Sequence, residues 1–171
     1  LRVYGAMKLK KNLKKRKINL MSLLDGAVPI ACNNEHFGRA ENVLAPGKGI
    51  NMGDGWETRR SRGKNFDWLI LKCAAPGVID KLQIDTHHFK GNFPDKCSVQ
   101  AGYAKINSSP KNIVKTSKSW KFLLGMSKLK AHKEHNFKIS KNNKRVVNYV
   151  RINIFPDGGI SRLRAFGTVK T

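Results

Sequence analysis

Two segments gather the residue types that can do chemistry. Residues 47–63 read Gly-Lys-Gly-Ile-Asn-Met-Gly-Asp-Gly-Trp-Glu-Thr-Arg-Arg-Ser-Arg-Gly. Glycines let a backbone approach a ligand closely. Glu57 is a candidate general acid or base, and Arg59 and Arg60 are guanidinium forks for a carboxylate beside it. No Gly-Lys-Ser/Thr follows the glycines, so the segment is not a phosphate loop. Residues 84–95 read Ile-Asp-Thr-His-His-Phe-Lys-Gly-Asn-Phe-Pro-Asp. If extended, this segment puts Asp85 and His87 on one face and His88 on the other. That allows a carboxylate-oriented histidine, or two ligands of a metal whose third (His36, for instance) comes from elsewhere. A histidine satisfied by structural hydrogen bonds is the commoner outcome, and neither a metal nor a cofactor is expected. His132 and His135 could meet on a helix, but they read as surface decoration within a basic stretch. Without a Gly-x-Ser-x-Gly elbow or an arguable Cys-His pairing, Ser or Cys catalysis has no support.

The elements that must hold these segments read mostly as strands. Alternating or apolar runs at 27–32, 66–73, 78–86, 97–106, 146–155 and 160–167 are separated by Gly, Asn and Pro turns. Ala75-Pro76-Gly77 reads as a turn joining the second and third strands. Helix is expected only as short pieces near 19–24 and 40–44. Trp56, Trp68 and Trp120 are too scattered for a stacking platform and read as core or near-core. Several short strands divided by turn signals define an all-β antiparallel sandwich or barrel with long loops. Leu1-Arg2-Val3-Tyr4-Gly5 is echoed by Leu163-Arg164-Ala165-Phe166-Gly167. This echo predicts one full repeat preceded by the last strand of another. The expected division is therefore 1–17 (end strand plus arm) and 18–171 (one sandwich domain). A start at Leu1 rather than Met fits a processed form or a fragment.

Length and composition bound the function. In 171 residues there are 34 Lys+Arg against 11 Asp+Glu, a formal net charge of +23. The 40% hydrophobic content is enough for one core, which excludes wholesale disorder. No apolar run approaches a membrane-spanning length. Three cysteines without a C-x-x-C spacing argue against a disulfide framework or structural zinc site. The charge is uneven: residues 25–101 are nearly neutral, while 1–24 and 102–150 carry most of the excess. Such blocks suit a polyanion, nucleic acid first and an anionic membrane surface second. The residues expected to meet RNA phosphates are Lys8, Lys10, Lys11, Lys14, Lys15, Arg16 and Lys17 in the arm. The second block adds Lys128, Lys130, Lys133, Lys141, Lys144 and Arg145.

The same segments closely resemble the allantoicase family. The resemblance is carried by Ile30-Ala31-Cys32, Glu35-His36-Phe37-Gly38, Leu44-Ala45-Pro46-Gly47 and Met52-Gly53-Asp54-Gly55-Trp56-Glu57-Thr58-Arg59-Arg60. It continues through Ala75-Pro76-Gly77, Ile84-Asp85-Thr86, His88-Phe89-Lys90-Gly91-Asn92 and Pro156-Asp157-Gly158-Gly159, ending at Arg162-Leu163-Arg164 and Gly167. It covers about residues 18–167 and matches the second of the family's two repeats, with 1–5 resembling the end of the first. The resemblance implies a jelly-roll β-sandwich of the galactose-binding-like, discoidin type. It also implies an ancestral hydrolysis of allantoate to ureidoglycolate and urea. On that reading Glu57, Asp85 and His88 are candidate catalytic groups, while Arg59, Arg60, Lys90, Asn92 and Arg162 are candidate substrate-binding groups.

Two functions follow. The first is an allantoicase-like domain repurposed as a structural, RNA-associated subunit of a ribonucleoprotein. A mitochondrial ribosome fits it best, with rRNA and neighbouring proteins as partners. The alternative is an active allantoicase, a cytoplasmic or peroxisomal homo-oligomer acting on allantoate. The basic blocks place the first ahead.

Overall fold

Residues 17–170, apart from Arg62, Lys64 and Ile106, are described by a computed structural model. The expected strand echo at 1–5 and the arm lysines up to Arg16 lie outside the described residues. Ten strands and one helix run in the order β1 (Lys17–Asn19), β2 (Val28–Cys32), β3 (Trp56–Glu57), β4 (Asp67–Asp85), β5 (Lys96–Gly102), α1 (Pro110–Ser117), β6 (Phe122–Lys128), β7 (Glu134–Lys138), β8 (Val146–Phe155), β9 (Gly159–Ile160) and β10 (Arg162–Val169). Short 3-10 turns occupy Leu23–Asp25, Ala40–Leu44, Met52–Asp54 and Lys141–Asn143. The fold is antiparallel β, as the strand and turn patterning predicts, and a jelly roll, as the resemblance implies.

β4 organises both layers. Its first half pairs with β2 and β8, and its second half with β10 and β7, all antiparallel. β8 continues to β5 and β6, and β10 to β1. The expected turn at Ala75-Pro76-Gly77 is instead a bend within this one strand, where the β4–β8 register shifts between Lys72 and Gly77. Pro76 donates no N–H, so it is tolerated where the ladder is broken. Its carbonyl still accepts from the Lys170 N–H. A Cβ at Gly77 would lie 2.7 Å from the Thr168 carbonyl oxygen, so the close crossing of β10 demands glycine.

Alternation sorts the side chains. Leu69, Leu71, Cys73, Ile79, Leu82 and Ile84 of β4 join Val150, Ile152, Ile154, Leu163 and Ala165 in one buried core. Ile70 and Tyr149 face the opposite side of the β4–β8 layer, where Ile113 of α1 covers them. The helix was missed from sequence although its start signal is present: Ser109 Oγ accepts from the Asn112 N–H, and Pro110 opens the first turn. β6 and β7 were missed too, because lysines dilute their apolar alternation. Cys73 and Cys97 are buried, and desolvation pushes each thiol up to about 12. Cys32, half-buried, is raised chiefly for the same reason.

Candidate active site

Two short strands bring the chemistry-bearing loops together. β3 and β9 pair as Trp56↔Ile160 and Glu57↔Gly159. Trp56 is fully buried and donates from Nε1 to the Asn34 carbonyl at 2.9 Å. With its neighbour so anchored, Glu57 turns the other way and is half-buried. The Pro156-Asp157-Gly158-Gly159 turn lies against the loop following β4. There the Gly159 N–H donates to the Asn92 carbonyl at 2.8 Å. Gly158 has φ 133°, and a Cβ on it would come within 2.6 Å of that same oxygen, so the turn needs glycine there. The contact sets Asn92, whose Nδ2 donates to Glu57 Oε1.

Glu57, Asn92 and Arg60 line one cleft of about 450 Å³, with Phe37, Asp157 and Ser61 on its walls. The Ser61 N–H donates to Asp157 Oδ2 at 2.7 Å, fixing the loop that carries Arg60. Arg60 is exposed. Arg59 opens instead on a neighbouring cleft with Asn33, Asn34 and Trp68, and its Nη2 lies 3.4 Å from His36 Nδ1. The cleft near Glu57 thus has one carboxylate held by an amide donor and one exposed guanidinium on its lining.

The remaining candidates form a second cluster. Arg162 is 3% exposed and donates to Asp54 Oδ2 at 2.6 Å, to the Ser161 carbonyl at 2.8 Å, and to the Gly47 and Lys48 carbonyls at 3.3 Å. It also donates to the Asp54 carbonyl. Partial burial alone would raise the Asp54 carboxyl. The Arg162 hydrogen bond, the Ile50 N–H and the Arg162 and His88 charges outweigh that and bring it below its ordinary value. Asp85, 3% exposed at the end of β4, accepts from the His87 N–H at 2.9 Å. His88 has φ 71°, and its Nε2 lies 2.9 Å from the Gly49 carbonyl oxygen. The chain turns after Asp85, so the extended geometry expected for 85–88 gives way to a turn with Asp85 as its hydrogen-bond acceptor. Lys90 is exposed beside this cluster.

His132 joins His87 and His88 here, which sequence spacing could not reveal. The rings of His87 and His132 stack at 4.0 Å, and one ligand atom from each of the three histidines lies within 4.8 Å of the others. His36, offered earlier as the third ligand, instead packs edge-on against Phe37. The trio is already engaged: His132 Nδ1 accepts from the His88 N–H at 2.9 Å. A neutral ring accepting there carries its proton on Nε2, so binding an ion would cost that turn contact. His135 sits on β7, not on a helix; its Nε2 accepts from the Lys130 N–H at 2.9 Å.

The fold is a jelly roll of the galactose-binding-like type in which a carboxylate and a guanidinium line one cleft. The carbohydrate-binding module of EndoD from Streptococcus pneumoniae superposes on 88% of the chain with a TM-score of 0.64 at 12% identity, a likeness of fold alone. The allantoicase repeat profile matches residues 18–170, and the chain belongs to the allantoicase family. A probable allantoicase of Burkholderia mallei is 48% identical across 99% of this chain and 50% of its own length. A probable allantoicase of Pseudomonas fluorescens is 46% identical across 90% of this chain and 46% of its own. The crystal structure of allantoicase from Saccharomyces cerevisiae matches 88% of this chain and 43% of that one, with a TM-score of 0.76 and 37% identity. The chain therefore spans about half the length of the curated relatives it matches.

These matches correct the leading functional expectation. Relatives 43–48% identical over nearly the whole chain carry the name allantoicase, so the reading as an RNA-associated, ribosomal, ribonucleoprotein subunit is withdrawn. RNA and ribonucleoprotein partners go with it, as does the mitochondrial location, since those relatives are bacterial. Some of the described basic residues also have local roles. Lys17 and Lys144 both pair with Asp80, and Arg145 donates to the Asn143, Ala101 and Lys121 carbonyls, while Lys130 and Lys133 are exposed. Lys128 and Lys141 are exposed on the surface. A net charge says how a surface meets polyanions in general, and it does not identify a partner.

Proposed function

We propose that the chain is the catalytic-repeat portion of an allantoicase, hydrolysing allantoate to ureidoglycolate and urea. The observation that carries this reading is the convergence of Glu57, Asn92 and Arg60 on one cleft in a chain of this family. Allantoate has one carbon bearing a carboxylate and two ureido groups. Arg60 forks the carboxylate. Asn92 occupies Glu57 Oε1 and leaves Oε2 to accept a proton from water. The water oxygen bonds to the central carbon as its bond to one ureido nitrogen breaks. The proton held by Glu57 passes to that nitrogen, and urea leaves. Arg162, Asp85 and His88 belong to the second cluster, Lys90 precedes the Gly91-Asn92 wall of this cleft, and Arg59 opens on the neighbouring one.

Residues 18–171 constitute the domain and 1–17 precede it; the family match beginning at 18 supports that division. The partners are allantoate and further copies of the protein, and the compartment is the cytoplasm, in keeping with the bacterial relatives. The test is urea release from allantoate by the whole chain. Release that Glu57→Gln removes supports the reading, and a folded sample that releases none rejects it.

A further inference from the structure

The outer face of the β4–β8–β5–β6 layer holds a second cavity, remote in chemistry from the cleft at Glu57. It encloses about 600 Å³, within the range of small-ligand sites. At its floor Arg151 is 4% exposed. Its Nε donates to Asn153 Oδ1 and its Nη1 to Ser117 Oγ, both at 2.8 Å. Among the described residues Nη2 has no hydrogen-bond partner, and none of the ion pairs there includes Arg151. A guanidinium taken out of water without a counter-charge is costly, and burial correspondingly lowers its pKa.

The surroundings hold that fork still and leave one edge unused. Asn153 Nδ2 donates to Ser98 Oγ at 3.2 Å and to Gln100 Oε1 at 3.1 Å. Gln100 Nε2 donates to the Trp120 carbonyl at 2.8 Å. The amides are thus spent on one another and orient Arg151 rather than wait for a ligand. Trp68 covers one face of the guanidinium, with Cζ 4.6 Å from the ring centroid. Phe66 and Phe155 stack at 5.1 Å on one wall, and Phe122 and Met126, both half-exposed or more, form the other. Lys118 supplies a second cation at the rim.

We propose that this cavity is a binding site for a small carboxylate with a flat body, an aromatic or a ureido acid. The carboxylate takes the free edge of Arg151, and the flat body lies between Trp68 and the phenylalanine walls. The depth of Arg151 favours a small anion over a protein surface, because a flat partner would stop at Phe122 and Met126. The site is independent of the hydrolytic reading, since it needs neither Glu57 nor any bond cleavage.

The whole chain, labelled with nitrogen-15, is titrated with benzoate, hydantoate (N-carbamoylglycine) and benzamide. The Arg151 Nε–H resonance and Trp68 fluorescence are followed, with Trp68→Phe assigning the latter. The expected result is a saturable change with at least one carboxylate and none with neutral benzamide. Arg151→Lys, which keeps the charge and loses the fork, should weaken binding at least about tenfold. Glu57→Gln should leave it unchanged, so a failed urea assay and a failed titration are separate results. Binding by benzamide equal to benzoate, or carboxylate binding unaffected by Arg151→Lys, overturns the proposal. So does the lack of any saturable change, including the case where Arg151→Lys instead disrupts self-association in sedimentation. If Arg151→Lys does not fold, the wild-type comparison of benzoate and hydantoate with benzamide still decides.

Discussion

Glu57 and Arg162 belong to the same sandwich and the same loop end, yet they do opposite things. Arg162 is almost wholly enclosed, and its guanidinium is taken up by Asp54 and by the carbonyls of Gly47, Lys48, Asp54 and Ser161. Glu57 is half-buried, with one oxygen held by Asn92 and the other without a hydrogen-bond partner among the described residues. A charged group whose bonding capacity is used up inside the protein stabilises a loop. One fixed at a single point on a cleft wall is equipped to exchange a proton. Chemical type alone does not separate these roles; the number of unspent donors and acceptors does.

The largest expected effect is on the Glu57 side. Glu57→Gln keeps the shape and the Asn92 contact but removes the proposed base, so on the proposed function urea release should fall about 10²–10⁴-fold. The urea-unfolding midpoint should stay near wild type. Arg162→Met should do the reverse in kind, lowering stability by roughly 3 kcal/mol in equilibrium unfolding, because Asp54 loses its cation and several carbonyls lose their donor. If Arg162→Met unfolds normally but kills activity, the two sites have been assigned the wrong way round. Within the cleft the contrast continues on a smaller scale. Arg60→Ala should raise KM for allantoate about tenfold, the value of one charge-assisted contact, while Arg59→Ala, facing the neighbouring cleft, should change it far less.

What the amino-acid order made legible follows the same division. β8 is read at its observed bounds because seven of the ten residues Val146–Phe155 are apolar and the run ends at Pro156-Asp157-Gly158-Gly159. The Pro156-Asp157-Gly158-Gly159 turn and the burial of Trp56 sit in segments whose residue types advertised them, whereas the contact of Asn92 with Glu57 joins two segments that the sequence reading kept apart. Two further things were not legible. The bend at Ala75-Pro76-Gly77 looks like a turn, and only the pairing of β10 across it keeps the chain extended. The approach of His132 to His87 and His88 depends on β7 pairing with the far half of β4, a contact between segments about 45 residues apart. Arg151 was passed over for a related reason: a cation inside a strand reads as one surface residue until its neighbours on the same face are known.

Acid should erode the Arg162 side first. Asp54 titrates below its ordinary value of 3.8 in the folded state, so its carboxylate is the form the fold prefers. That contribution is fully present above the unfolded value and is lost as pH falls through the lowered folded one. The stability gap between wild type and Asp54→Asn should therefore be flat above about pH 5 and close as the solution is acidified below 3.8. A gap that does not narrow at all as the pH falls below 3.8 would mean that Asp54 acts through packing and not through its charge.

His132 gives the smallest effect and the subtlest comparison, because it stands at the exposed edge of the second cluster. Loss of hydration beside its neighbours, then the charges of His87, Lys90 and His88, lower its pKa from 6.5, with Asp85 opposing. The fold thus prefers the neutral ring, whose Nδ1 can accept the His88 N–H. Between the folded and unfolded values the unfolded chain binds more protons, so stability is complete above 6.5 and declines as pH falls toward and through the folded value. Proton NMR of the ring should show its midpoint below 6.5, and His132→Asn should flatten that small slope without touching urea release at pH 8. A midpoint above 6.5 would mean that the ring is held as a cation. The His88 N–H could then not be donating to Nδ1, and the turn would rest on its other hydrogen bonds, among them those of Asp85 with the His87 N–H and of Phe89 with Thr86.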